Sequence, residues 1–258
     1  MILFAKMFKC WSTTQMTISF LAILVLLLVP LLAQAATITV GPSDCDDCDF
    51  SSIGEAVREA KAGDFIQVRN GTYQERVVLD KSIRLEGMDK PVVDAGGKES
   101  AITVISNGTV IKGFVLTNSG TGGAGIKIKS NENIVEGNLI LENRWYGVML
   151  DDASNNVVKN NNISNNKYGI WIAFNSNKNE IYGNNILDNN NYDAIDSGVN
   201  DWDKNLYSDF AGSKPEYNIP GGINVDKNPR APEPEPKLPV TASPIISVKI
   251  TIPAPIVE

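Results

Sequence analysis

The chain has 258 residues, with 23 basic residues, 30 acidic residues, no histidine and a formal net charge of −7. A surface with this excess of carboxylates repels phosphate backbones and anionic headgroups, so the composition argues against nucleic acid and anionic lipid as partners. The length that remains after the two terminal segments described below suits one domain.

Residues 1–35 are predicted to be a secretion signal. Lys6 and Lys9 precede an apolar run at residues 18–32, and Ala33-Gln34-Ala35 supplies a small-x-small cleavage site. The run is short for a membrane span, and an uncleaved anchor is the alternative. Cleavage would leave 21 basic and 30 acidic residues, a net charge of −9. The protein is therefore expected to be secreted, or to lie on the cell surface.

Only Cys45 and Cys48 follow the signal, in the sequence Cys-Asp-Asp-Cys. In a secreted chain, the pair favours a local disulfide. Free thiols are one alternative. A metal site is another, although two thiolates without histidine leave zinc short of ligands.

Residues 51–60 predict a short helix, with Ser52 as N-cap, Glu55 three residues later and Gly63 closing the segment. We expect this helix to cover the open end of a β-structure, where unpaired strand edges invite aggregation. Strand-like segments follow at residues 65–68, 77–79, 83–87, 101–104 and 110–114.

Residues 131–191 contain 19 asparagines in 61 positions, and these recur in register. Asn138, Asn161 and Asn184 are 23 residues apart, as are Ile140, Ile163 and Ile186, and as are Asn143, Asn166 and Asn189. A second phase places Gly125, Gly147 and Gly169 22 residues apart, each before an Ile/Val-x-Ile/Leu pair. A fixed period of this size indicates a stacked repeat architecture.

About 23 residues suffice for three short strands and three turns, which is one coil of a parallel solenoid with the usual strand spacing of about 4.8 Å. Stacked isoleucines would fill a dry interior, and stacked asparagines would pair amide to amide at a turn. The sequence therefore predicts an all-β, right-handed parallel β-helix of about seven coils over residues 36–230, with handedness taken from the chirality of parallel crossovers.

Alternation along the repeated Gly-Ile/Val-x-Ile/Leu strands predicts one outward column of side chains, made of Lys127, Met149 and Trp171. Further aromatic and charged residues flank it. The candidate ligand-binding residues are Trp171, Tyr146, Tyr168, Trp145, Met149, Lys127 and Asp151. Aromatic rings beside carboxylates and cations suit a sugar, because the rings contact its apolar face while polar groups bind its hydroxyls. The alternative is that these side chains merely cover the sheet.

The alternative hypothesis that this region is catalytic rests on Asp151, Asp152 and Arg144. Two carboxyl groups can act as acid and base on a glycosidic bond when they stand about 6.5–9.5 Å apart. Adjacent acids on a strand point to opposite faces, however, which is poor geometry for such a pair. Arg144 is included because it is the only arginine in the four regular repeats.

Two further kinds of site are indicated. An acidic loop could offer calcium several oxygen ligands, against the alternative of a solvated turn; its carboxylates are Asp193, Asp196, Asp201 and Asp203. Three Asn-x-Ser/Thr sequons begin at Asn70, Asn107 and Asn162, and secretion would permit their glycosylation.

Residues 231–258 form a C-terminal linker or tail. Its first part alternates proline with acidic residues and is expected to be extended, and its last part, 240–258, is interrupted by three prolines.

Several motifs resemble the opening coils of secreted pectin-lyase-like β-helix proteins: IGEAV at residues 53–57, GDFIQV at 63–68 and GTYQE at 71–75. The repeats, with NDWDKNLYSDF at 200–210 and PGGINVD at 220–226, resemble the NosD-type group, which is common on archaeal cell surfaces. The resemblance covers roughly residues 37–230. It implies copper binding or an association with carbohydrates. For a pectate-lyase-like site it would also imply an arginine base, for which Arg144 is the candidate.

Copper requires imidazole, thiolate or thioether ligands. Beyond the signal the chain offers only Cys45, Cys48, Met88 and Met149, so copper is not expected and calcium is the one metal considered. The sequence favours a secreted or cell-surface β-helix protein that binds carbohydrate or envelope material without catalysis. The alternatives are a polysaccharide-active hydrolase or lyase, and a structural or adhesive surface protein.

Overall fold

The computed structural model describes residues 35–233. The predicted signal segment, apart from Ala35, and the tail beyond residue 233 lie outside the described residues. Within residues 35–233 there is one helix, α1 (Ile53–Glu59), and no helix there is long and apolar enough to cross a membrane.

The strands form three sheets that run along the length of the molecule. The first sheet has ten strands, in the order β1 (Thr37–Val40), β2 (Phe65–Val68), β5 (Arg84–Gly87), β8 (Val110–Lys112), β11 (Ile134–Glu136), β14 (Val157–Lys159), β17 (Glu180–Tyr182), β20 (Asp201–Asp203), β23 (Val225–Asp226) and β22 (Tyr217–Asn218). The second sheet has seven, in the order β3 (Thr72–Tyr73), β6 (Val92–Asp94), β9 (Val115–Thr117), β12 (Leu139–Leu141), β15 (Asn162–Ser164), β18 (Asn185–Leu187) and β21 (Leu206–Tyr207). The third has six, in the order β4 (Val77–Leu79), β7 (Ile102–Val104), β10 (Ala124–Ile128), β13 (Tyr146–Leu150), β16 (Tyr168–Ile172) and β19 (Tyr192–Asp196).

From β2 to β19 each coil contributes one strand to each sheet, and neighbouring strands pair in parallel except at β22 and β23. Ile140, Ile163 and Ile186 lie in one register position, as the 23-residue period predicts. All three are fully buried. The predicted parallel β-helix of about seven coils is confirmed.

The asparagines form three ladders at the turns, and all their members are buried except the half-buried Asn189. The first contains Asn133, Asn156, Asn179, Asn200 and Asn224; the second contains Asn138, Asn161, Asn184 and Asn205; the third contains Asn143, Asn166 and Asn189. At each step, the Oδ1 atom of one asparagine accepts the backbone N–H of its counterpart one coil earlier, and in most steps also that counterpart's Nδ2–H. The ladders therefore run in one direction, with acceptors facing the preceding coil.

Buried carboxylates stand at the C-terminal ends of two of these ladders and beside the third. Asp226 accepts from Asn205 at the end of the second, and Asp193 accepts from Asn189 at the end of the third. Beside the first, the Nδ2 atom of Asn200 donates to both oxygens of Asp196, 2.9 and 3.1 Å away. The last asparagine of a ladder has N–H groups that would otherwise donate to an asparagine in the next coil. A carboxylate can take the place of that asparagine, because it only accepts hydrogen bonds.

The glycines that recur every 22 residues are required by close contacts with their neighbours. A Cβ atom on Gly147 would lie 2.6 Å from the carbonyl oxygen of Gly169 and 2.6 Å from the Cγ2 atom of Ile163. Gly169 meets the same obstruction from Asp193 and Ile186. At Gly147 and Gly169 the neighbouring backbone and isoleucine leave no room for a side chain, whereas the next coil carries the side chain of Asp193 at this register position.

Helix α1 contacts β1, β2 and β4 at the N-terminal end of the solenoid, where the sequence predicted a short helix. The Ser52 side chain accepts from the Glu55 N–H, and the Glu75 carboxylate accepts from the N–H groups of Ile53 and Gly54. The helix ends at Glu59, one residue before the predicted end, and the ammonium group of Lys81 binds three carbonyls there, those of Val57, Arg58 and Ala60. A cation at these unpaired carbonyls ends the helix favourably.

Candidate functional site

The candidate site is the outer surface of strands β10, β13, β16 and β19, together with the residue directly before and the residue directly after each strand. This surface is here called the aromatic wall. The inward residues of these strands, such as Val148, Ile170, Leu150 and Ile172, are fully buried. The predicted outward column is present, because Lys127 pairs in register with Met149 and Met149 with Trp171. Each of these three side chains is half-buried.

Five aromatic rings gather on this wall. Tyr146, Tyr168 and Tyr192 occupy one register position in successive coils. The Tyr146 and Tyr168 ring centroids lie 5.5 Å apart, and those of Tyr168 and Tyr192 lie 6.4 Å apart with planes only 7° from parallel. Trp171 lies 5.4 Å from Tyr146, and Trp145 lies 5.8 Å from Tyr146. These distances are within the range of favourable ring–ring packing.

Tyr192 was missed among the candidates from the sequence. Its coil carries Tyr-Asp-Ala-Ile-Asp where earlier coils carry Tyr-Gly-Val-Met-Leu and Tyr-Gly-Ile-Trp-Ile, and the step lengthens from 22 to 24 residues. The tyrosine at the head of the strand was the available signal. Tyr192 is 50% exposed, whereas the other four aromatic residues of the cluster are half-buried.

Trp171 is half-buried, whereas the sequence predicted an exposed ring. The difference arises because Trp171 packs against Tyr146 across neighbouring coils. Burial also raises the pKa of the Tyr146 phenol above its ordinary value, with a smaller contribution from Tyr168. The cluster is therefore a packed unit, and Tyr192 is its one exposed residue.

Charged groups border the rings on both sides. The Lys167 ammonium lies 4.0 Å from the Trp145 ring centroid and 5.6 Å from that of Tyr168, a cation–π arrangement the sequence did not predict. At the other ends of the strands, Asp151 Oδ2 lies 3.5 Å from the Lys129 ammonium and 4.0 Å from that of Lys127.

The three residues of the catalytic reading do not form a visible acid–base pair. Asp151 is held by the two lysines, while Asp152 is exposed in the following turn with a φ of 57°. Arg144 is also exposed, and no ion pair among residues 35–233 joins it to either carboxylate. The structure therefore shows no geometry in the described residues from which a catalytic step can be derived.

The four acids of the predicted calcium loop are not brought together. Asp193 and Asp196 point into the solenoid, where Asp193 accepts from Asn189 and Ser208 and Asp196 accepts from Asn200 and Trp202. Asp201 and Asp203 lie on the outer face of β20. Within residues 35–233, the one group of potential metal ligands close enough to share an ion is Cys45, Asp47 and Cys48.

Burial raises the pKa of the Asp196 carboxyl, and hydrogen bonds from Trp202, Gly198 and Asn200 oppose that rise. This carboxylate occupies the register position of Ile172 in the preceding coil. Its surroundings are those of a structural acceptor within the last coils.

The remaining predicted sites have simple settings. Cys45 and Cys48 form a disulfide, with their Cα atoms 5.5 Å apart. The sequon asparagines Asn70, Asn107 and Asn162 are all exposed. Glycosylation at these positions stays a prediction.

A parallel β-helix with three sheets and buried asparagine ladders defines a protein of the pectin-lyase-like class. Within that class, the chain belongs to the family described as "Periplasmic copper-binding protein (NosD)", which matches residues 58–222. The family description suggests an envelope or extracellular location. No curated protein matches the sequence.

Two solved structures share the fold. One is pectate lyase Pel9A, with a TM-score of 0.53, 18% identity, and coverage of 67% of this chain and 52% of that one. The other is an alginate lyase from Paenibacillus sp. str. FPU-7, with a TM-score of 0.53, 15% identity, and coverage of 69% of this chain and 78% of that one. The chain thus spans about half the length of the pectate lyase, and at these identities the likeness shows the fold alone.

The copper in the family's description does not fit the donor set of this chain. The chain has no histidine, and its two cysteines in the described part are joined to each other. Met88 follows the end of β5 in the first sheet, while Met149 lies within β13 in the third. Since copper needs several imidazole or sulfur ligands at one point, no described group of residues provides a site.

We therefore expect titration of the disulfide-bonded protein with Cu(I) and Cu(II) to show only weak binding, without a stoichiometric submicromolar site. Met88 lines the same surface cavity as Cys45, so a reduced sample is the informative second arm. Copper bound only after reduction should be lost in the Cys45→Ser variant. A tight stoichiometric site in a variant lacking both cysteines would contradict the expectation.

Proposed function

We propose that the protein is secreted or displayed at the cell surface and binds carbohydrate on the aromatic wall without catalysis. The observation that carries this proposal is the cluster of five rings on a single sheet surface, reaching from Trp145 to the half-exposed Tyr192. Isolated exposed aromatic residues need no explanation, but a contiguous cluster is typical of a binding surface.

The chemistry of the wall supports the same proposal. Ring faces contact the apolar C–H faces of sugars, while the Tyr hydroxyls, the lysines and Asp151 provide donors and acceptors for hydroxyl groups. Asn191 already donates to the Tyr168 hydroxyl at 3.2 Å, which helps to orient that ring. Because the rings lie on stacked parallel strands, their spacing is set by the rigid solenoid rather than by mobile loops.

The test is a glycan-binding screen of the purified protein and of three variants, with and without calcium. Tyr192→Ala and Trp171→Ala are each expected to weaken binding at least about tenfold, the loss of roughly 1.4 kcal/mol of contact. Tyr192→Ala should leave the melting temperature nearly unchanged, whereas Trp171→Ala should lower it because the ring is half-buried.

Tyr182→Ala is the matched control. Tyr182 is also a half-buried tyrosine on an outer strand surface, but it lies in the first sheet, away from the wall. Its loss should leave glycan binding intact. Equal effects of the three substitutions would refute the wall as the binding site. Turnover of a bound glycan would favour a polysaccharide-active enzyme. A screen in which no glycan binds would favour a structural surface protein.

A further inference from the structure

The charges on the aromatic wall are opposite in sign to those of the chain as a whole. The wall carries three outward-pointing cations, Lys127, Lys129 and Lys167. It carries one outward-pointing carboxylate, that of Asp151. Three cations and one carboxylate give a local charge of +2, on a protein whose formal charge is −7. Asp193 and Asp196 belong to the same strand segments but are buried and bonded inside the solenoid.

Lys167 is the most informative of these cations. Its ammonium is held over the Trp145 ring at 4.0 Å, and no carboxylate among the described residues forms an ion pair with it. A cation placed on an aromatic face by the protein, with no anionic partner of its own, remains available to an anion on a ligand that contacts the same rings.

A second positive region lies at the opposite ends of the strands. Lys127 and Lys129 share the single carboxylate of Asp151, so one of their two charges is uncompensated. Both lysines also line a surface groove with Ser100, Thr103, Thr121 and Gly123. The carboxylate in this groove, Glu99, faces Arg76 at 3.7 Å. The groove adjoins the rings, because Ala124 pairs in register with Tyr146.

We propose that the ligand of the aromatic wall is an acidic polysaccharide, whose sugar rings contact the tyrosines and whose carboxylate or sulfate groups bind Lys167 on one side and Lys127 with Lys129 on the other. This inference rests on the proposed carbohydrate-binding function and specifies its ligand class. Neutral glycans would use the rings alone and bind more weakly.

The experiment compares acidic and neutral polymers that share a backbone. Carboxymethylcellulose is matched with hydroxyethylcellulose, and polygalacturonate with its methyl-esterified form. Affinity electrophoresis or calorimetry at about 50 mM NaCl should show at least about tenfold tighter binding of the acidic member of a pair. The difference should shrink at about 1 M NaCl, where the screening length falls to about 3 Å.

Two variants locate the effect. Lys167→Gln and, separately, Lys129→Gln should lower the affinity for the acidic polymer several-fold while leaving the neutral polymer unaffected. Lys112→Gln is the control, because Lys112 lies in the first sheet and faces Glu86 at 3.7 Å. Circular dichroism checks that each variant is folded.

The outcomes separate this inference from the proposed function. If acidic and neutral polymers bind equally and both are lost in Tyr192→Ala, the wall binds carbohydrate but has no preference for acid, and the inference fails alone. If Lys112→Gln matches the effect of Lys167→Gln, the preference is nonspecific and the inference fails. If none of the four polymers binds but the glycan screen finds a neutral ligand that is lost in Tyr192→Ala, the inference fails alone. If the screen is blank as well, both proposals fail.

Discussion

Replacing Asn161 by alanine should lower the free energy of unfolding by roughly 3 kcal/mol or more, a large loss for the removal of one amide. Asn161 is fully buried. Its Oδ1 atom accepts from the backbone N–H and the Nδ2 group of Asn138, at 3.0 and 3.1 Å, and its Nδ2 group donates to Val135 and Asn184, both at 3.0 Å. The substitution strands groups in both neighbouring coils, and each buried unsatisfied group costs about 1–3 kcal/mol.

The adjacent residue supplies the control. Asn162 is exposed on β15, where its Oδ1 atom accepts from Asn185 at the surface. Asn162→Ala should change stability by no more than about 0.5 kcal/mol, as is usual for surface substitutions. Denaturant unfolding of the two variants, side by side with the parent, measures the difference. Equal midpoints for the two variants would show that the buried ladder does not stabilise the solenoid.

Asp226→Asn should destabilise the C-terminal coils by about 2–4 kcal/mol, although the two side chains have nearly the same shape. Asp226 is fully buried and accepts five hydrogen bonds. One oxygen binds the N–H groups of Lys204 and Asn228, and the other binds the N–H and Nδ2 groups of Asn205 and the Tyr207 hydroxyl. An asparagine amide must turn its NH₂ toward one of these sets, which places donor against donor.

Hydrogen exchange localises this effect. Faster exchange is expected in β20, β21 and β23, with the central coils protected as in the parent. Asp203→Asn is the control in the same coil, since the Asp203 carboxylate is 38% exposed and pairs with Lys204 at the surface. Exposed ion pairs contribute about 0–1 kcal/mol. If the amides of Asp226→Asn exchange as slowly as those of the parent, the end of the ladder does not require a carboxylate, a group that only accepts hydrogen bonds.

The asparagine ladders also show why the acidic loop misleads sequence reasoning. Proximity in sequence predicts that Asp193, Asp196, Asp201 and Asp203 form one oxygen-rich loop. Strand alternation and the end of the ladders separate them, with two carboxylates facing the interior and two on the outer face of β20. The sequence holds the acids, but only the fold decides which side of the sheet each one faces.

The periodic part of this protein was determined by its sequence alone. A 23-residue step in Asn and Ile forces equivalent residues to stack, because each coil pairs with the next through in-register parallel strands. The interior isoleucines, the asparagine turns and the Gly147 column follow from that one constraint. The cap at Ser52 is local chemistry, and it too could be read from a few neighbouring residues.

Tertiary structure decided what lies outside the period. Tyr192 joins the ring cluster through a coil of different length, and Lys167 reaches Trp145 from the following coil. Trp171 is half-buried because its neighbour in space is Tyr146, 25 residues earlier in the chain. Side-chain contacts between coils depend on the offset and rotamer of each residue, which a repeat pattern leaves unspecified. The stacking of coils can therefore be predicted from the sequence, whereas the residues that make up the aromatic wall are determined by contacts between assembled coils.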